Sequence, residues 1–239
     1  MHRRCSGSAN VEELFLYYIT DSGQLSAQRD ESLRLLLDRI SAAASAGIDA
    51  IQIREKDLNA RELVQLGARA VENVRVVNIQ GLSRTSTKVL VNSRIDAAIA
   101  CGADGVHLRS DDVSAADARA IFAQAGISTA LIGVSCHTIQ DVLLAEGHGA
   151  DFAVYGPVFG KADSEAPPTG LAGLKEVCRR RRAAQHPMPV LALGGVTANN
   201  GGACLKAGAR GIAGIRLFQN GNLAETVSQL RRIGEELNL

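Results

Sequence analysis

Ile51-Gln52-Ile53-Arg54-Glu55-Lys56 alternates apolar and polar residues at a period of two, the pattern of a β-strand with two unlike faces. Ile51, Ile53 and Glu55 fall on one side, and Gln52, Arg54 and Lys56 on the other. In a parallel sheet sheathed by helices the covered faces are apolar, so the isoleucines belong under helices and the polar row looks the other way. With the row turned outward, two cations would be buried beneath helices. An inward charged row is costly too, unless an anion meets it. A (β/α)8 barrel resolves this, because its strands end at an open mouth where ligands bind.

On either side of this stretch the same kind of segment recurs. Apolar or β-branched runs lie at Leu14–Thr20, Ala50–Glu55, Lys88–Asn92, Gly105–Arg109, Leu131–Cys136, Phe152–Phe159, Pro189–Gly194 and Gly211–Phe218. A helical pattern of about 10 to 18 residues follows each, which is the signature of repeated βα units. Eight such units predict a single closed (β/α)8 barrel, since a doubly wound sheet typically uses about five or six strands. Ala46-Gly47, Cys101-Gly102, Ala125-Gly126 and Ala207-Gly208 place a glycine between a helix and the next strand, as a left-handed helix end requires. The polar stretch Gly81–Thr87 is too short to act as a linker between domains. One barrel domain is therefore expected over residues 13–239, preceded by a flexible segment over residues 1–12.

Composition narrows the classes of function. Of 239 residues, 46% are apolar and 21% charged, with 24 glycines, which is enough apolar material for a core and unlike a disordered chain. A net charge of +1 and the lack of a basic stripe interleaved with aromatics argue against nucleic-acid binding. No apolar run reaches the roughly 18 residues of a membrane span, and His2-Arg3-Arg4 is not followed by the long apolar core of a leader. Cys5, Cys101, Cys136, Cys178 and Cys204 are an odd, scattered set without a CxxC pair. They fit a reducing cytoplasm.

Polar residues at the strand ends carry the functional weight in such a barrel. Asn92 closes strand three, Asp111 and Asp112 follow strand four, and Ser135 and His137 flank the end of strand five. Ser93-Arg94-Ile95-Asp96 has the form of a helix capping box. Asp112 reads either as a helix cap or as a carboxylate for Mg²⁺, which is held by one or two carboxylates beside phosphate oxygens. Gly194-Gly195-Val196 and Gly214-Ile215-Arg216 stand in the loop after strand seven and within strand eight, where barrels often build a phosphate site from backbone. Arg179–Arg182 is read as a helix C-terminal run that suits the dipole.

Taken in order, Tyr17-Tyr18-Ile19-Thr20-Asp21, Gln52-Ile53-Arg54-Glu55-Lys56, Gly102-Ala103-Asp104-Gly105-Val106-His107-Leu108, Gly133-Val134-Ser135-Cys136-His137-Thr138, Gly156-Pro157-Val158-Phe159 and Ala192-Leu193-Gly194-Gly195-Val196 resemble successive motifs of the thiamine phosphate synthase and TenI superfamily. The resemblance spans nearly the whole chain. It implies a transferase that joins hydroxymethylpyrimidine diphosphate to thiazole phosphate, releasing diphosphate, with Mg²⁺ and without a redox cofactor. It also implies that Gln52, Arg54, Lys56 and Asn92 bind the diphosphate and that Asp112 holds the metal. Tyr17 and Ser135 would line the pyrimidine pocket, and Gly194, Gly195, Arg216 and Lys161 would meet the thiazole phosphate. Arg54, Lys56, Ser135 and His137 would be the catalytic set.

The chain departs from the family pattern in three places. Asn92 is followed by Ser93 where synthases carry aspartate, which removes one negative charge from the metal site. The segment Gly160–Thr169 replaces a threonine-rich loop ending in lysine, leaving Lys161 as the substitute. Arg216 stands where a small residue or serine is usual, able to bind the thiazole phosphate or to block its site. Two other readings stay open: a TenI-like thiazole tautomerase with His137 as the proton carrier, since histidine titrates near neutrality, and a non-catalytic barrel that binds a thiamine precursor. The row on strand two favours the synthase, because the tautomerase substrate has no diphosphate to fill it. The oligomeric state is left open.

Overall fold

The computed structural model describes residues 14–81, 85–160, 168–181 and 187–239. The strands are β1 (Phe15–Ile19), β2 (Ala50–Ile53), β3 (Lys88–Asn92), β4 (Gly105–Leu108), β5 (Leu131–Cys136), β6 (Phe152–Tyr155), β7 (Val190–Ala192) and β8 (Gly211–Gly214). Helices α1 (Arg29–Ala46), α2 (Ala60–Ile79), α3 (Ile95–Cys101), α4 (Ala115–Gln124), α5 (Ile139–Gly147), α6 (Gly170–Arg181) and α7 (Gly201–Lys206) follow the first seven strands in turn. After β8 come a short helix α8 (Arg216–Gln219) and the closing helix α9 (Leu223–Glu236). All strand pairs are parallel, and β1 pairs with β8 through Leu16 opposite Ile212, so the sheet closes on itself. This is the expected (β/α)8 barrel.

The strand period of two sorts the core into two layers. Leu16, Tyr18, Ile51, Ile53, Val89, Val91 and their counterparts pack outward against the helices. Tyr17, Ile19, Ala50, Leu90, Phe152, Val154, Leu191 and Ala213 fill the barrel interior. The isoleucines of β2 therefore lie under the helices, and Gln52, between them, points into the barrel. Helix ends follow the glycine pattern, with Gly47 at φ 91° and Gly102 at φ 70°, both left-handed. Arg179 and Arg180 pair with Glu176 near the end of α6, which agrees with a surface role for that run; Arg182 lies outside the described residues.

Several expectations need correction. β2 ends at Ile53, so Arg54, Glu55 and Lys56 lie in the β2–α2 loop and not in the strand. β6 ends at Tyr155, before Pro157, which has no amide to continue a ladder. β8 ends at Gly214, and Arg216 opens α8 instead of lying in the strand. Ser93 is not a cap: the residue preceding α3 is Arg94, without a side-chain cap bond, and Ser93 has φ 58°. Residues 1–12, Lys161 and most of the Gly160–Thr169 segment lie outside the described residues.

Candidate active site

At the C-terminal end of β2, Gln52 is buried at 2% exposure. Its amide nitrogen donates to Asn92 Oδ1 at 2.7 Å, and Asn92 Nδ2 donates in turn to Ser93 Oγ at 3.0 Å. Gln52 Oε1 has no hydrogen-bond partner among the described residues. Nearly all buried polar atoms in folded proteins are paired, so this acceptor is an opening for a donor on a ligand. Beyond the strand end, half-buried Arg54 and exposed Lys56 line a cavity of about 370 Å³ with Asp21, Ser22 and Arg29, between the β1–α1 and β2–α2 loops. Neither Gln52 nor Asn92 lines it, so of the sequence-predicted row only Arg54 and Lys56 do.

Glu55 turns away from that row and organises the loops. Thr20 Oγ1 donates to Glu55 Oε1 at 2.5 Å, and the Ser22 amide donates to Glu55 Oε2 at 2.9 Å. The Arg54 amide donates to the same threonine oxygen at 3.0 Å. From the other side, buried Gln219 accepts from the Asp21 amide at 3.2 Å and donates to the Asp21 carbonyl at 2.7 Å. The β1–α1 loop is thereby tied to both the β2–α2 loop and α8.

Deeper in the mouth stands a chain of side chains in which Tyr17 and Ser135, expected from the sequence, are joined by His107, which sequence reasoning did not select. The hydroxyl of Tyr17 lies 3.1 Å from His107 Nδ1, and His107 Nε2 lies 2.9 Å from Ser135 Oγ. Tyr17 and His107 are buried at 0% and 1% exposure. Burial pushes the imidazole pKa down to about 3; the Asp112 carboxylate opposes this and the Arg54 cation adds to it. His107 is therefore neutral at pH 7. Gly133 makes the room: a Cβ there would lie 2.4 Å from Phe152 and 2.7 Å from His107 Nδ1. The available signal was parity, since Gly105 and His107 share the inward face of β4 as Gln52 does on β2.

The carboxylates after β4 are engaged locally. Asp112 Oδ2 accepts from the Arg109 amide at 2.7 Å, and Asp111 pairs with the Arg109 guanidinium at 2.5 Å. Among the described residues no group of three or more His, Cys, Asp or Glu side chains converges to hold a metal. That donor set suits Mg²⁺ in one way only: a single half-buried carboxylate, Asp112, sharing the ion with waters and diphosphate oxygens, as is usual for this hard cation.

On the opposite side, His137 is exposed and its Nδ1 lies 2.7 Å from the Gly156 carbonyl. A carbonyl only accepts, so Nδ1 carries a proton, and in the neutral form of the ring Nε2 is the acceptor. Gly194 and Gly195 have φ 95° and 65°, and Cβ atoms there would lie 2.5 Å from Pro157 and 2.8 Å from Phe159. They are needed to seat the β7–α7 loop against the β6–α6 loop. The Gly195 carbonyl accepts from Asn200 Nδ2 at 3.0 Å. Arg216 is exposed at the start of α8, next to the end of β8.

Fold and mouth define a (β/α)8 barrel that presents a cation, a carboxylate and a buried polar chain to a ligand at its strand ends. The chain belongs to the thiamine monophosphate synthase family, whose model matches residues 16–218. It is 38% identical over 200 residues to a putative thiamine-phosphate synthase of Geobacter sulfurreducens, covering 83% of each chain. It is 36% identical to the thiamine-phosphate synthase of Roseiflexus castenholzii, covering 83% of this chain and 78% of that one. A probable thiamine biosynthetic bifunctional enzyme of Oryza sativa subsp. japonica is 33% identical over 87% of this chain, which spans only 34% of that relative's length. Among solved structures, a thiamine phosphate pyrophosphorylase from Pyrococcus furiosus superposes with TM-score 0.74 at 28% identity, covering 95% of this chain and 98% of that one.

Proposed function

We propose that this chain is a thiamine phosphate synthase, joining hydroxymethylpyrimidine diphosphate to thiazole phosphate and releasing diphosphate. The observation that carries the reading is the buried Gln52 Oε1, without a partner among the described residues, followed in the β2–α2 loop by Arg54 and Lys56 at a cavity: the acceptor suits an amino group, the cations suit phosphate oxygens. Membership of the family supports the same conclusion. The carbon–oxygen bond to the diphosphate breaks, leaving a pyrimidine cation that the thiazole nitrogen captures. Catalysis is then chiefly stabilisation of the departing charge.

Within that scheme Arg54 and Lys56 hold the diphosphate oxygens, and the Asn92 amide flanks them. Asp112 would hold Mg²⁺, which when bound neutralises some of the diphosphate charge. Gln52 fits a different role from the one its motif implies, because a diphosphate oxygen cannot donate to the open Oε1. An amino group on the pyrimidine can, so Gln52 is assigned to the pyrimidine with Ser135, and buried Tyr17 stands behind them without touching it. The backbone at Gly194 and Gly195, together with Arg216 and Lys161, is assigned to the thiazole phosphate. Among the described residues the buried thiols of Cys101, Cys136, Cys178 and Cys204 form no disulfide, which supports work in a reducing cytoplasm. Among the described residues no helix is long and apolar enough to cross a membrane. A homo-oligomer is compatible with this site.

The test is to supply both substrates with Mg²⁺ and quantify thiamine phosphate by chromatography; the reading requires product from the purified chain. One observation favours a second reading, a thiazole tautomerase: the fixed tautomer of His137 leaves Nε2 as a base at the mouth. That activity, if present, should be lost in His137→Ala.

A further inference from the structure

We propose that Tyr17 and His107 are positioning residues that hold Ser135 as a hydrogen-bond donor aimed at the substrate. What Ser135 meets, an acceptor atom of the pyrimidine diphosphate, rests on the synthase reading; its orientation does not. The hydroxyl of Tyr17 is buried, and its hydrogen bond in the interior is to His107 Nδ1 at 3.1 Å. Burial pushes the phenol pKa well above its ordinary value, so the phenol keeps its proton. If Nδ1 also carried a proton, the phenol hydrogen would be buried without an acceptor, a disfavoured state. The phenol therefore donates to Nδ1.

The neutral imidazole has one ring proton, and it must sit on Nε2. Nε2–H then donates to Ser135 Oγ across 2.9 Å. With its oxygen accepting from the ring, the serine hydroxyl hydrogen is directed away from His107. Ser135 is half-buried near the C-terminal end of β5, so the open direction is the mouth. Had the ring taken the other tautomer, Ser135 would spend its hydrogen on Nε2 and offer substrate only a lone pair. The chain thus sets the polarity of a serine that touches substrate. The Phe152 ring, edge-on to Tyr17 at 5.1 Å, and the space left by Gly133 keep both rings in register.

The tautomer is read directly by long-range ¹H–¹⁵N correlation on protein labelled in histidine, without any ligand. The expected signature for His107 is a protonated Nε2 and an unprotonated Nδ1 at pH 7; a protonated Nδ1 overturns the proposal. In steady-state kinetics, Tyr17→Phe and Ser135→Ala should each lower kcat for thiamine phosphate formation by roughly ten- to hundredfold. The double variant should lose no more than Ser135→Ala alone, and losses that multiply would contradict the coupling. If Tyr17→Phe does not fold, His107→Gln, which keeps a donor towards Ser135, should retain more activity than His107→Leu at matched thermal midpoints; equal losses overturn the proposal. A wild-type chain that makes no thiamine phosphate rejects the synthase reading alone, because the tautomer is measured without substrate.

Discussion

Ser93 stands beside Asn92 at φ 58°, in the left-handed region that asparagine and aspartate tolerate better than other side chains with a Cβ. Ser93→Asp should therefore fit without backbone rearrangement and restore a second negative charge at the end of β3. Titration calorimetry with Mg²⁺ and inorganic diphosphate should show roughly tenfold tighter Mg²⁺ binding in that variant, since site charge sets cation affinity; unchanged affinity would place the ion elsewhere. Arg54→Ala should lower kcat/KM for the pyrimidine diphosphate by roughly a hundredfold or more, with the KM for thiazole phosphate unaltered. His107 gives a pH prediction. Its folded pKa, held down to about 3 by burial, lies below the unfolded value of about 6.5. The unfolded chain binds that proton more readily, so the contribution is complete above pH 6.5 and is lost as pH falls towards 3. Urea midpoints measured between pH 7 and 4 should fall more steeply for the wild type than for His107→Gln.

Among the elements, the β1–α1 loop is held by side chains from outside it, Glu55 and Gln219 from distant parts of the chain and Ser32 from α1. Gln219→Leu keeps the volume but removes the acceptor for the Tyr18 hydroxyl at 3.0 Å and both bonds to Asp21. The expected cost is about 2 to 3 kcal/mol, with faster hydrogen exchange over residues 20–25 and a raised KM for the pyrimidine diphosphate; exchange limited to α8 would show that the loop is held otherwise. The strands themselves were legible in the chain, because alternation on Ile51-Gln52-Ile53 and the runs of β3 and β5 leave little choice of element. Their ends were less so. Gly211–Phe218 is a continuous apolar run, and such a run does not tell a buried strand from a strand followed by a helix. Phe152–Phe159 crosses Pro157, a stop that should have weighed more. Of the site, the row at Gln52, Arg54 and Lys56 was visible because charges interrupt an apolar pattern. His107 was hidden because one histidine on a strand is ordinary until Tyr17 and Ser135, far away in sequence, close around it.

Taken as a whole, the barrel places every proposed substrate contact at one end and closes itself at the other. There Arg231 of α9 pairs with Asp49 at 2.7 Å, reaches the Gly47 carbonyl at 2.7 Å and also bonds the Leu14 carbonyl, drawing the last helix onto the entries to β1 and β2. Asp49 also accepts from the Leu16 amide at 2.6 Å. Both partners are more than four-fifths buried, so Arg231→Met should cost about 3 kcal/mol by leaving a buried carboxylate undercompensated. For a chain of this size that is a fall in Tm of roughly 6 to 12 °C, read by calorimetry, with kcat unchanged below the transition because the site lies at the far end. The decisive measurement sets two activities side by side on one preparation: formation of thiamine phosphate from both substrates with Mg²⁺, and proton transfer on the carboxythiazole phosphate, each in the wild type, Arg54→Ala and His137→Ala. A synthase should yield thiamine phosphate and diphosphate in equal amounts, with the rate collapsing in Arg54→Ala. No thiamine phosphate from the wild type, together with proton transfer that disappears in His137→Ala, would contradict that account.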